Sequence, residues 1–202
     1  MVVTVFGSSA AEGGSSSSLN GWSELLKRNL PYEREEFDSI QFIRHGNSGY
    51  STTDLLEGKK IELVINNQPD LVIFENAMVN NYLKATSMAE TQENLKEIMK
   101  MLQEGLPNSK IIIMSSNPIA NSEDLNSVGL SYLDYIKGSE ELIKEQKWLY
   151  FNTIERIANK LREENVLLVD ILASDYVYFN DRGNHLWFES FFDYLKEDNL
   201  KN

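Results

Sequence analysis

A serine hydroxyl attacks a carbonyl only if a base takes its proton. A third group must orient that base, and donors must meet the developing oxyanion. This sequence holds a candidate for each part. Gly7-Ser8-Ser9 follows the apolar run Val2-Val3-Thr4-Val5-Phe6 and places hydroxyls on a sharp strand-to-loop turn. Ser9 is the candidate nucleophile, with Ser8 as its alternate. The chain has two histidines, His45 and His185. An imidazole titrates near neutrality and suits the role of base. His185, in Asn180-Asp181-Arg182-Gly183-Asn184-His185, is the candidate base, with Asp181 as the carboxylate behind it. The N–H groups of Ser9 and Gly49 and the amide of Asn80 are the candidate oxyanion donors. One such side-chain donor is worth about 2.7–4 kcal/mol in acyl transfer.

These residues need a scaffold that gathers them. Five short Val/Ile-rich runs, at residues 2–6, 40–43, 71–74, 110–114 and 166–169, read as buried strands. They are mostly continuous rather than alternating, the pattern of a parallel sheet covered on both faces. Between them lie stripes at helical spacing: Trp22, Leu25, Leu26 and Leu30; then Leu55, Leu56, Ile61, Leu63 and Val64. Leu95, Ile98, Met99 and Leu102 form a third, stopped by Gly105 and Pro107. Trp148, Phe151, Ile154, Ile157, Ala158 and Leu161 form a fourth, and residues 186–195 an aromatic fifth. Alternating strands and helices predict one α/β domain over residues 1–202. Its expected form is a three-layer α/β/α sandwich with a five-stranded parallel sheet, flavodoxin-like. Ligands of such sheets bind beyond the carboxyl ends of the strands, where Ser9, the 44–49 loop, the 75–81 loop, Ser115-Ser116-Asn117 and the His185 loop are expected to converge. Residues 12–18, rich in Gly and Ser, read as a mobile loop. The stretch 117–138 is long for a connection and reads equally as a substrate-facing flap or a surface insertion.

Composition narrows the partners. The formal net charge is −12, and no basic patch is visible. Nucleic acid and anionic membrane, which need clustered Lys and Arg, are therefore poor partners. Cysteine is absent, which removes thiolate nucleophiles and Cys-based metal sites. No run approaches the roughly 20 apolar residues of a membrane span, and the N-terminus does not read as a signal peptide, so a cytoplasmic location is expected.

The ordered blocks resemble the SGNH hydrolases, also called GDSL-like esterases. Gly7-Ser8-Ser9-Ala10-Ala11-Glu12-Gly13 is similar to the family's Gly-Asp-Ser turn, with Ser9 in the nucleophile position. Gly46-Asn47-Ser48-Gly49 is similar to the second block, with Gly49 as the oxyanion glycine. Asp70-Leu71-Val72 followed by Val79-Asn80-Asn81 resembles the third, Gly-x-Asn-Asp, with Asn80 as the oxyanion amide. His185 matches the histidine of the closing Asp-x-x-His. The resemblance implies the three-layer fold and ester hydrolysis, usually with no cofactor or metal. By analogy, the substrate is a small-molecule or carbohydrate ester, with acetyl preferred.

The chain departs from the pattern in three places. Ser8 replaces the family's Asp. Asn81 replaces the second Asp, and the third block has no glycine. Asp181 precedes His185 by four residues instead of three, and the residue at three is Arg182, which accepts no hydrogen bond. Either the loop bulges so that Asp181 reaches the ring, or a backbone carbonyl orients a Ser–His dyad. Other readings are an acyltransferase on the same site, a phosphate- or flavin-binding module using the Gly/Ser segment, and a catalytically silent protein-binding relative.

Overall fold

The computed structural model describes residues 1–17, 19–33 and 39–197. Five parallel strands form one sheet: β1 (Val2–Ser8), β2 (Gln41–Asn47), β3 (Leu71–Glu75), β4 (Lys110–Met114) and β5 (Leu149–Phe151). Their order is β2-β1-β3-β4-β5. From β1 the chain crosses outward to β2, then returns to β3 on the other side. The carboxyl ends of β1 and β3 thus flank the topological switch point, where ligands of open α/β sheets bind.

Helices cover both faces. On one face lie α1 (Trp22–Glu33), α7 (Thr153–Glu164) and α8 (Asp181–Lys196). Trp22, Leu26, Ile157, Trp187 and Phe191 pack there on Val3, Val5, Ile73 and Ile112. The Trp22 and Trp187 rings stack 5.1 Å apart. On the other face lie α2 (Thr52–Glu57), α3 (Lys60–Asn66), α4 (Met78–Leu83), α5 (Met88–Gly105) and α6 (Tyr132–Gln146). Leu55, Val64, Leu95 and Ile143 pack there on Phe6, Val72, Phe74 and Ile113. The expected three-layer α/β/α sandwich is present.

Three expectations are corrected. The fifth strand is β5, not residues 166–169. The apolar run Val166-Leu167-Leu168-Val169 leads into a 3-10 turn at Leu168–Ile171, with Leu167 and Val169 facing solvent. Trp148 and Phe151, expected on a helix, flank and end the true strand, which extends the sheet beyond β4. His185 also lies inside α8 rather than in a loop. Among the described residues, no helix is long and apolar enough to cross a membrane.

Candidate active site

The site is built in two tiers at the switch point. The lower tier is buried. Gly7 lets β1 press against β3: a Cβ at Gly7 would lie 2.5 Å from the Glu75 carbonyl oxygen and 2.9 Å from Glu75 Oε2. The Glu75 carboxyl therefore slides beneath the turn. Its Oε2 accepts from the Ser8 N–H at 2.9 Å and the Ser8 hydroxyl at 2.6 Å. Its Oε1 accepts from the Ala77 N–H at 3.0 Å and from the Ser116 hydroxyl. Four donors match the acceptor capacity of one carboxylate. Burial pushes the Glu75 carboxyl above its ordinary range, while the bonds from Ser116, Ser8 and Ala77 pull it back. Ala77 takes a left-handed φ of 59°, a conformation costing an L-residue about 1–2 kcal/mol. Its bond to Glu75 helps offset that cost.

The upper tier is the rim. Ser9 opens the 3-10 turn Ser9–Glu12 that follows β1 directly, capped by the Ser8 hydroxyl accepting from the Ala10 N–H. Ser9 is half-buried, and its hydroxyl donates to the phenol oxygen of Tyr178 at 2.7 Å. The Tyr178 ring lies on Gly14, where a Cβ would come within 2.7–2.8 Å of it. Asp175 fixes the loop carrying that ring: its Oδ1 accepts from the Val177 and Tyr178 N–H groups, and its Oδ2 accepts from the Ser15 hydroxyl. The 117–131 segment braces the same loop. The Asn117 amide donates to the Val177 carbonyl at 2.6 Å, and the Ala120 N–H donates to that of Tyr176.

Beside this rim sit the expected oxyanion parts. Strand register pairs Ser8 with Asn47, so the turn through Gly49 (φ 73°) follows directly from a residue alongside the Ser8–Ser9 turn. The buried Asn80 donates to the Tyr50 carbonyl at 3.0 Å and so ties α4 to that turn. The neighbouring amides of Asn76 and Asn81 serve the scaffold. Asn81 accepts from the Thr52 N–H at the start of α2, and Asn76 accepts from the Ser116 N–H.

The expected Ser9–His185–Asp181 alignment is not assembled. Asp181 opens α8, and its carboxylate accepts from the Ser17 N–H, the Ser17 hydroxyl and the Asn20 amide. Asn184 is the residue that turns inward, accepting from the Trp22 N–H and donating to the carbonyls of Gly13, Phe179 and Asn180. His185 follows about 100° further around the helix and faces outward. Its side chain is 57% exposed, with Nε2 3.4 Å from Glu189. Ser8, the alternate nucleophile, is fully buried under Glu75. His45 is held by the Asn67 amide at 2.7 Å, and burial lowers its pKa.

The residue missed in the sequence is Tyr178. Asp175-Tyr176-Val177-Tyr178 carries the Asp-x-x spacing of the family's closing block, with tyrosine where histidine is expected. That spacing was the available signal. The Gly/Ser segment is pinned rather than open. The N–H groups of Gly13, Gly14, Ser16 and Ser17 are already engaged, and Asp175 and Asp181 face the segment. A phosphate would meet carboxylates there, so the phosphate-cradle reading loses its physical basis. Among the described residues, no cluster of three His, Cys, Asp or Glu forms a metal site.

Solved structures share this architecture. The psychrotrophic esterase EstA from Pseudoalteromonas sp. superposes with a TM-score of 0.72 at 18% identity, covering 100% of this chain and 99% of its own. The acetyl xylan esterase AlAXEase gives 0.73 at 18% identity, over 96% and 98%. A catalytic mutant of Axe2, an acetylxylan esterase from Geobacillus stearothermophilus, gives 0.73 at 17% identity, over 95% and 92%. At such identities the likeness speaks for the fold. No curated protein matches the chain in sequence. The model of the GDSL-like Lipase/Acylhydrolase family, however, matches residues 5–186, most of the chain. With a serine at the switch point of a shared fold, this chain belongs to the GDSL-like Lipase/Acylhydrolase family of serine ester hydrolases.

Proposed function

We propose that Ser9 is the nucleophile of an esterase acting on short acyl groups, acetyl above all, carried by a small molecule or a carbohydrate. The observation that carries this reading is the position of Ser9. It is the first residue beyond β1 at the switch point, half-buried, with its hydroxyl hydrogen-bonded to the Tyr178 phenol. Attack by Oγ on the acyl carbon forms the Oγ–C bond and pushes charge onto the carbonyl oxygen. The Ser9 and Gly49 N–H groups and the Asn80 amide are the donors assigned to that charge. Asn80 still has a second amide hydrogen beyond the one given to Tyr50. The acetyl esterases among the structural neighbours support the choice of acyl group and of a carbohydrate carrier. The chain's net charge of −12 favours neutral or cationic esters over anionic ones.

The test is labelling by a fluorophosphonate together with release of p-nitrophenol from p-nitrophenyl acetate and of acetate from acetylated xylo-oligosaccharides. Labelling and turnover that disappear in Ser9→Ala support the reading. A Ser9→Ala protein that labels and turns over like the parent refutes it.

A further inference from the structure

We infer that the Tyr178 phenol is the proton acceptor for Ser9, so that the esterase works through a serine–tyrosine pair instead of a serine–imidazole one. This rests on Ser9 as the nucleophile. Tyr178 is the side chain bonded to the Ser9 hydroxyl, at 2.7 Å. Its position is over-determined: Gly14 under the ring, Asp175 under the loop backbone, and Asn117 and Ala120 on the loop carbonyls. General-base catalysis requires this geometry first and a suitable pKa second.

The proton balance is simple. In the attacking step, the Tyr178 phenolate takes the Ser9 proton as Oγ bonds to the acyl carbon. The resulting phenol then protonates the leaving alkoxide as the ester C–O bond breaks. Water attacks the acyl-serine next and gives one proton to the phenolate. Collapse of that intermediate breaks the Oγ–C bond, and the phenol returns the proton to Oγ.

The surroundings decide when this pair is competent. The charged groups facing the phenol are Glu75, from β3 below, and Asp175, on its own loop. Both are carboxylates. Burial pushes the phenol above its ordinary pKa, the bond with Ser9 pulls it down, and the two carboxylates push it up. An unperturbed tyrosine near pKa 10 has about one molecule in a thousand ionised at pH 7, and this one has fewer. The pair is therefore slow at neutrality and gains about tenfold per pH unit as the phenolate fraction grows. An imidazole base would level off near pH 7.

The experiment is a pH–rate profile for p-nitrophenyl acetate from pH 6.5 to 10, with the Ser9→Ala rate subtracted at each pH. The expected result is a rise of about a hundredfold between pH 7 and 9 with no plateau. Tyr178→Phe is expected to lose about a hundredfold or more at pH 9. Replacing Tyr178 with a fluorinated tyrosine of lower phenol pKa moves the bend of the profile to lower pH, which a purely structural role would not do. A profile that is flat above pH 7 overturns the inference, and needs no variant beyond the subtraction control. So does a Tyr178→Phe protein with the parent's slope and rate. If Ser9 still labels with fluorophosphonate in those cases, the nucleophile stands and only the base falls. If Ser9→Ala hydrolyses like the parent, the nucleophile itself falls.

Discussion

Ser8 and Ser9 are adjacent and chemically identical, one ending β1 and the other opening the turn after it, yet their surroundings are opposite. Ser8 is fully buried, and its N–H and hydroxyl both serve the Glu75 carboxyl. Ser9 is half-exposed, and its hydroxyl meets a single phenol. The backbone changes between them. Ser8 ends β1 with its hydroxyl turned into the floor, and Ser9 opens the 3-10 turn with its hydroxyl at the rim. A serine in the floor can brace the turn because every polar group around it is satisfied. The proposed role of the rim serine rests on its partial exposure and its bond to a phenol instead of a carboxylate.

The sharpest way to break this comparison is to remove each hydroxyl in turn. Ser9→Ala is expected to lower turnover by about three orders of magnitude or more while leaving the melting temperature nearly unchanged. Ser8→Ala is expected to do the reverse. It should keep fluorophosphonate labelling of Ser9 and lose about 1.5–3 kcal/mol of stability, because a hydrogen bond to a carboxylate disappears in a buried site. Activity assays and denaturant titration on the same pair of proteins decide the matter. Equal activity losses in both variants would erase the distinction between floor and rim.

Glu75 tests the floor more severely. Glu75→Ala leaves the N–H groups of Ser8 and Ala77 and the Ser116 hydroxyl without their acceptor. We expect a loss of about 3 kcal/mol or more, since each unsatisfied buried group costs about 1–3 kcal/mol. In a chain of this length that is roughly 6–12 °C in melting temperature. The sign of its pH dependence is also set. Burial raises the folded-state pKa of Glu75 above the unfolded value of 4.5. Its titration therefore contributes stability below pH 4.5 that is lost as pH rises through the folded pKa. Glu75→Gln has no such titration. The stability of the parent relative to Glu75→Gln should therefore be largest near pH 4 and shrink toward neutrality, as urea unfolding at a series of pH values would report. A margin that grows with pH would mean that the four donors outweigh burial.

The two tiers were unequally legible in the sequence. Strands β1, β3 and β4 stand out because each is a largely apolar, mostly buried run, and β2 by its apolar start at Phe42 and Ile43. Strand β5 does not. It has three residues, lies beyond β4, and its Trp148 and Phe151 fall at helical spacing with Ile154 and Ile157. The run at 166–169 imitated a strand by composition, but two of its apolar residues lie in solvent. Helix α6 was read only as part of an insertion, although its start carries a capping box, Ser131 with Asp134. The candidates Ser9, Gly49 and Asn80 stand out in the sequence because each lies shortly after a strand, at the carboxyl edge of the sheet. Glu75 reads from the sequence as the start of the 75–81 loop, whereas it is the buried last residue of β3. Its role appears only when Gly7 lets β1 approach. Tyr178 does not stand out because the pattern calls for a histidine, and the spacing Asp175-x-x-Tyr178 carries a different residue type.

The smallest expected effect concerns the outer face of α8. His185→Ala should change turnover by less than about twofold and stability by less than about 0.5 kcal/mol, the usual range for surface substitutions. Asn184 holds the inward direction, through bonds to Gly13, Trp22, Phe179 and Asn180, and one residue later the side chain has swung about 100° toward solvent. To reach Ser9, His185 would have to replace Asn184 in that cradle, and α8 would have to rotate against the stacked Trp22 and Trp187 rings. The i,i+4 contact of His185 with Glu189 is exposed, and such helix pairs contribute about 0.3–0.5 kcal/mol when both partners are charged. Steady-state assays of His185→Ala beside Tyr178→Phe therefore separate the two ends of the chain as sources of the base. A hundredfold loss in the histidine variant, with the phenylalanine variant unaffected, would return the base to α8 and require that rotation to occur in the working enzyme.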